Sequence, residues 1–268
     1  MYSKTKNFGK VYYYSSYREI DKTLPFIYFI HGAAQDHSIW TQYVRYFSNK
    51  KFNAIAFDLP NHGKSPKQKI NSVELFANFI KEYDELNNPQ QNKIFLVGHS
   101  MGSLISLSSN FLIDHIAKSV LLGFKYPMTV SDFLLNESKN NPGKSHNVIN
   151  EFSYSSSNII GANINPGIYA FNNSLSLMNR DEKLPIHDDF TACNNFQINE
   201  KLFENLKGKF LLIGGDKDLM TPSKKLFSQF SNIENFKIKI LKNVGHSMMS
   251  EAPNDILDLL IEFFLIAE

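Results

Sequence analysis

Apolar residues in the first half of the chain fall into short unbroken runs, separated by longer stretches in which they recur every three or four positions. Residues 26–30 (FIYFI), 52–57, 93–97 and 119–123 are of the first kind. A strand covered on both faces has no polar side to show, so these runs predict parallel strands flanked by helices. Residues 38–48, 73–86 and 102–113 carry the helical spacing between them. This strand–helix alternation implies an α/β fold around a mostly parallel central sheet. Before residue 26, only residues 10–14 suggest a strand. The rhythm breaks after Phe124. Residues 125–194 are rich in Asn and Ser, scatter aromatics (Tyr126, Phe133, Phe152, Tyr154, Tyr169, Phe171, Phe190) and show no strong strand. Alternation then resumes, with strands predicted at 209–213 and 236–241 and helices at 223–230 and 256–266. In the last helix Ile256, Leu259, Leu260 and Phe263 fall on one face. The pattern predicts a core of residues 1–124 and 195–268, interrupted by a mainly helical insertion over 125–194.

Composition narrows the classes of function. The chain has 268 residues, 43% hydrophobic and 20% charged, which is globular and fits one large domain with an insertion. Its 28 Lys and Arg stand against 26 Asp and Glu with neither sign massed in a run, so the basic stripe of a nucleic-acid binder is missing. A single cysteine, Cys193, excludes an intramolecular disulfide and suits a reducing compartment. No apolar run follows the first residues, and the most membrane-like stretch, 259–267, is short and interrupted by Glu262. The expectation is a soluble cytoplasmic protein with no membrane span. The sequence leaves the oligomeric state open.

Gly98-His99-Ser100-Met101-Gly102 lies between a predicted strand and a predicted helix. This is the G-x-S-x-G pattern, a strained turn that lifts a serine above the sheet edge. The three fixed positions alone arise by chance in roughly one chain of this length in ten; the flanking strand and helix make that far rarer. A serine hydroxyl needs a base at neutral pH. His246 follows the last predicted strand in Asn243-Val244-Gly245-His246-Ser247, on the loop expected at the same sheet edge. After the preceding strand stand two acids, Asp216 and Asp218, in Gly214-Gly215-Asp216-Lys217-Asp218-Leu219-Met220-Thr221-Pro222. The chain order is therefore Ser, Asp, His.

These motifs resemble the α/β-hydrolase superfamily, in its serine-nucleophile branch with a cap domain. His31-Gly32-Ala33-Ala34 is similar to the family's oxyanion loop, and Asp58-Leu59-Pro60-Asn61-His62-Gly63-Lys64-Ser65 to its D-x-P-G-H-G-x-S loop, with Asn61 where the family has Gly. Five motifs in order span residues 31–246. The resemblance implies Ser100 as nucleophile, His246 as base and Asp218 as acid, with Asp216 as its alternative. It further implies an oxyanion hole from the backbone N–H groups of Ala33 and Met101, a cap over residues 125–194, and no cofactor. Asn61 tolerates the left-handed backbone the loop requires.

The remaining candidates have plainer readings. His31, His62 and His99 are expected to brace motif loops by hydrogen bonds, and Asp36 and His37 to start the following helix. His115, His146 and His187 lack metal-ligand spacing, so no metal site is assigned. Cys193 is read as a small apolar filler and Trp40, with Tyr43 and Val44, as core. The aromatics of the insertion either line a pocket or pack its own core. The leading function is a serine hydrolase acting on a small carboxylic ester or related acyl compound. C–C bond hydrolysis, thioester hydrolysis, acyl transfer and perhydrolysis share the same implied triad. Serine at position 100 argues against dehalogenase and epoxide hydrolase chemistry, which use a carboxylate there. A small-molecule sensor that keeps the triad is the alternative class.

Overall fold

A computed structural model describes residues 1–17, 19–155, 169–180, 185–206 and 208–266. Its strands are β1 (Tyr2–Lys4), β2 (Lys10–Tyr14), β3 (Phe26–Ile30), β4 (Asn53–Phe57), β5 (Ile94–His99), β6 (Ile116–Leu122), β7 (Lys209–Gly215) and β8 (Phe236–Leu241). They form one sheet in the order β1-β2-β4-β3-β5-β6-β7-β8. β2 runs antiparallel to β1 and β4, and every pairing from β4 to β8 is parallel.

After a 3-10 turn at His37–Trp40 come the helices α1 (Thr41–Ser48), α2 (Val73–Asn87) and α3 (Met101–Ser109). Between β6 and β7 run α4 (Asp132–Asn140), α5 (Pro142–Ser153), α6 (Ala170–Arg180) and α7 (Ile186–Asn195). α8 (Lys224–Phe230), α9 (Met248–Glu251) and α10 (Pro253–Leu265) complete the chain.

The unbroken apolar runs are explained by two cores, one on each face of the sheet. Along β3, Phe26, Tyr28 and Ile30 join Phe76, Phe79 and Leu104 of α2 and α3. The alternate residues Ile27 and Phe29 join Trp40 and Phe47 beside α1, and Ile256 and Leu260 of α10. Successive strand side chains point to opposite faces, so a strand with helices on both sides must be apolar throughout. Trp40, Tyr43 and Val44 are buried core, as their spacing predicts.

Three sequence expectations shift. β1 was not anticipated, because its Tyr2-Ser3-Lys4 is an edge strand with only a partly buried centre and no apolar run. The helix expected to reach residue 113 ends at Ser109. There Asn110 turns the chain, donating from Nδ2 to Ser106 O (2.8 Å) and to Ser119 Oγ of β6 (2.9 Å). β6 starts three residues before the expected 119, taking in Lys118, whose ammonium reaches the carbonyl of Phe263 and so hides the apolar signal.

The strand order reverses at β3: the chain passes to β4 on one side and returns to β5 on the other. In a doubly wound sheet the crevice beyond the strand ends at such a point is the usual ligand site. The loop after β3 and the turn after β5 both open there. The helices between β6 and β7 build a smaller apolar core of Ile149, Met178, Ile186 and Phe190, which also packs on Ala34 of the first loop. Within the expected insertion, residues 156–168 and 181–184 lie outside the described residues.

Candidate active site

Ser100, between β5 and α3, has φ 53° and ψ −119°, a strained conformation for a residue with a side chain. Its N–H donates to Leu122 O of β6 at 2.8 Å, which anchors the turn to the sheet. The flanking glycines are steric requirements. A Cβ at position 98 would lie 2.1 Å from Gly102 O, and one at 102 would lie 2.3 Å from Ile30 O. Met101 opens α3, so its N–H has no intrahelical acceptor.

The loops after β7 and β8 bring Asp218 and His246 together. His246 Nδ1–H donates to Asp218 Oδ2 at 2.8 Å, and both residues are buried. Asp218 Oδ1 accepts the N–H groups of Met220 (2.9 Å) and Thr221 (2.8 Å), and Oδ2 also accepts the Thr221 hydroxyl at 2.6 Å. Burial alone would raise the Asp218 pKa; His246 and the Thr221 donors outweigh it and hold the carboxyl below its ordinary value. Asp216 is exposed and instead accepts the N–H of Asn243 at 2.7 Å. His246 Nε2 is buried without a hydrogen-bond partner, on the wall of the cavity that Ser100 also lines. Gly123, at the end of β6, makes room for this ring: a Cβ there would lie 2.8 Å from His246 Cε1.

The motif histidines brace the loops, as expected. His31 Nδ1–H donates to Gly32 O at 2.8 Å, while Nε2 accepts the N–H of Leu59 at 3.1 Å, tying the loop after β3 to the loop after β4. Its burial, with His62 close by, lowers its pKa to about 4. His99 Nε2–H holds the carbonyl of His246 at 2.9 Å; burial and the neighbouring His246 lower its pKa to about 3. Both rings are therefore neutral at pH 7. Asn61 has φ 72°, the left-handed conformation that its place in the motif requires.

In the first loop Gly32 N, Ala34 N and Gln35 N are bonded, whereas Ala33 N has no partner among the described residues. Ala33 and Ser100 line the same cavity. The partner of Ala34 is a residue that sequence reasoning missed. Asp189 of α7 accepts the Ala34 N–H at 2.9 Å and contacts His62 Nε2 at 3.0 Å through the same Oδ2. His62 Nδ1 faces Pro60 O at 3.1 Å. Both ring nitrogens of His62 thus face oxygen atoms, one on the loop after β4 and one on α7. No local pattern announces this contact, which joins residues 155 and 127 positions apart. Thr221 was also missed, although an acid followed three residues later by Thr is a recognisable turn spacing.

Above Ser100 and His246 lies a cavity of about 450 Å³. Phe133, Leu134, Ile149, Phe152 and Phe190 line it, and no Lys, Arg, Asp or Glu side chain does so among the described residues. The insertion's aromatics therefore divide: these three phenylalanines face the cavity, whereas Tyr126 packs edge-on against Phe196 and Phe203. Cys193 is buried beside the cavity, and burial, reinforced by Asp189, raises its pKa, consistent with an inert filler. Asp36, with Oδ1 on Ser38 N at 2.8 Å, caps the 3-10 turn as expected. Asp36, His37 and Asp58 hold potential ligand atoms within 4.8 Å of one another. Their carboxylate oxygens are already engaged by Ser38 N, Arg180, His37 and Lys64 N.

A nucleophile elbow at the switch point of a mostly parallel sheet, with an Asp–His pair on the last two loops, is the architecture of an α/β hydrolase. The model of the alpha/beta hydrolase family matches residues 27–259, and the chain belongs to that family. It is 23% identical to a protein named "Putative esterase/lipase 2" in Mycoplasma pneumoniae, over 97% of this chain and 95% of that one. A protein of the same name in Mycoplasma genitalium is 24% identical over 88% of this chain and 87% of its own length. Among solved structures, the enol-lactonase from Burkholderia xenovorans shares the fold with a TM-score of 0.84 at 15% identity, covering 99% of this chain and 100% of that one. The esterase from Exiguobacterium antarcticum does so with a TM-score of 0.80 at 16% identity, covering 98% of each chain. Among the described residues no helix is long and apolar enough to cross a membrane.

Proposed function

We propose that the protein is a serine hydrolase that cleaves a small carboxylic ester, or a related acyl substrate, through an acyl-enzyme on Ser100. His246 Nε2 takes the Ser100 proton as Oγ attacks the carbonyl carbon. Asp218 holds the ring with its proton on Nδ1 and stabilises the imidazolium that forms. The developing oxyanion is received by the N–H groups of Ala33 and Met101, each worth on the order of 3 kcal/mol of barrier. The imidazolium then protonates the departing alkoxide. Water, deprotonated by His246, attacks the acyl-enzyme and releases the acid and Ser100. Residues 125–194 act as a cap whose apolar lining selects an uncharged acyl group.

The observation that carries this reading is the buried Asp218–His246 pair with its second ring nitrogen unpartnered on the wall shared with Ser100. The names of the Mycoplasma relatives agree with it.

The test is steady-state hydrolysis of p-nitrophenyl esters from acetate to octanoate by wild type and Ser100→Ala. Repeated turnover, with a loss of at least about three decades in the variant, is expected. Equal activity in the two proteins refutes the role of Ser100. Stoichiometric labelling of Ser100 by a fluorophosphonate without ester turnover redirects the reading to thioester, C–C or acyl-transfer chemistry, or to a sensor.

A further inference from the structure

Beside the apolar cavity lies a second recess of different character. This recess, about 480 Å³, shares Gln35, Ser174 and Ser247 with the first, so the two meet at the residue next to His246. Its polar wall is built from Tyr154, Asn173, Ser174, Ser247 and Ser250. Tyr154 is buried and donates its hydroxyl proton to Ala170 O at 3.1 Å, which leaves its oxygen able to accept. The hydroxyls of Ser250, Ser174 and Ser247 are close enough to offset part of the rise that burial imposes on the Tyr154 pKa. The one charged side chain lining the recess among the described residues, Arg180, is engaged by Asp36 at 2.6 Å. Among the described residues no carboxylate lines it to hold a cation.

Chemistry fixes which half of an ester goes where. The leaving oxygen must come within hydrogen-bond reach of the ring that protonates it, so the alcohol lies on the His246 side. Next to His246, at Ser247, the recess opens on hydroxyl and amide groups that both donate and accept, set among the apolar side chains of Ile39, Leu177 and Met249, and among the described residues no uncommitted charge lines it. Resting on the ester-hydrolase reading, we infer that this recess is the alcohol subsite and that it takes a neutral polyol, a glycerol-like leaving group with free hydroxyls, while the acyl chain occupies the apolar cavity.

The experiment compares kcat/KM for four butanoate esters, short enough to stay monomeric in solution: the ethyl, glyceryl, choline and glycerol-3-phosphate esters. The glyceryl ester is expected to exceed the ethyl ester at least tenfold, with both charged esters below the glyceryl ester. Asn173→Leu on α6 and Ser250→Val on α9 should each lower the glyceryl-to-ethyl ratio at least fivefold. The two sites lie on separate elements, so misfolding of one variant leaves the other as a test. A wild-type ratio near one, or ratios unchanged in both variants, overturns the polyol subsite while ester hydrolysis stands. A preference for the phosphate or choline ester overturns its neutrality. Failure of every ester, the ethyl ester included, overturns the underlying hydrolase reading and this inference with it.

Discussion

Replacing Asp189 tests whether the insertion holds the catalytic loops as well as covering them. Asp189 and His62 are fully buried and Ala34 is 4% exposed, so Asp189→Ala removes a buried acceptor from the Ala34 N–H and a buried contact from the His62 ring. A hydrogen bond to a charged group is worth about 1.5–3 kcal/mol, and breaking a buried pair from one side costs about 3–5 kcal/mol. A loss of about 3 kcal/mol is therefore expected. Asp189→Asn can place its amide oxygen at the Oδ2 position shared by both contacts, losing the charge but not the acceptor, and should lose about half as much.

The kinetic effect is separate from the loss of stability. Ala34 sits at φ 54°, and its bond to Asp189 holds the turn that presents the unpartnered N–H of Ala33. An oxyanion contact is made in the transition state and not to the ground-state substrate. Asp189→Ala should therefore lower kcat about 10- to 100-fold with little change in KM, and Asp189→Asn should recover much of that loss. Urea unfolding gives the stability, and ester kinetics at a temperature where all three proteins are folded give the rest. An unchanged midpoint and kcat in Asp189→Ala would refute the tie. A change confined to KM would mean that Asp189 shapes the cavity without positioning the loop.

Acid should destabilise the fold well before the carboxylates titrate. His99 and His31 have folded pKa values of about 3 and about 4 against an ordinary 6.5, so between those limits the unfolded chain binds protons that the native one does not, and stability falls as pH drops below 6.5. At pH 5 each ring contributes a loss of about 2 kcal/mol; equal urea midpoints at pH 7.5 and pH 5 would contradict it. Asp218→Asn should lower kcat by about four decades, as expected when the acid orienting a catalytic histidine is neutralised, and Asp216→Asn by less than about twofold. Reversed effects in the ester assay would move the acid to position 216.

The sequence displayed those parts of the fold whose physics is local. A short unbroken apolar run that alternates with amphipathic stretches fits a doubly covered strand, so β3, β4, β5 and β7 were legible from their residues. The elbow was legible because Gly98 and Gly102 answer a steric demand within five residues. The family resemblance preferred Asp218 to Asp216, and the structure brings Asp218, rather than Asp216, to His246. β1 was hidden because an exposed three-residue edge strand has no apolar signature. Asp189 was hidden for a different reason. In Ile186-His187-Asp188-Asp189, the second acid looks like any charge in the first turn of a helix until tertiary contact buries it. The cavity's lining was equally hidden, because Phe133, Phe152 and Phe190 carry the same letters whether they face a pocket or a core.

The insertion's hydrogen bonds also restrict how substrate can enter. On one side Asp189 holds the loop of Ala33. On the other, Ser153 O accepts the N–H of Ser247 at 2.8 Å, one residue after His246. Glu251 joins the two parts, taking the N–H and hydroxyl of Ser155 at 2.8 and 2.7 Å on one oxygen and the N–H of Gly245 at 2.6 Å on the other. Lifting the helices between β6 and β7 as a rigid body would break the contacts together and release both the loop of Ala33 and the loop of His246, at about 1 kcal/mol or more for each bond lost. Such an opening would dismantle the site that it exposes. The cavity rim offers a less costly route: Phe133, Phe152 and Leu219 are 52%, 48% and 64% exposed, so their side chains can rotate into solvent without breaking a hydrogen bond. Rotamer changes of exposed side chains take picoseconds to nanoseconds. Such rotations leave the contacts of His246, Asp218 and the Ala33 loop in place.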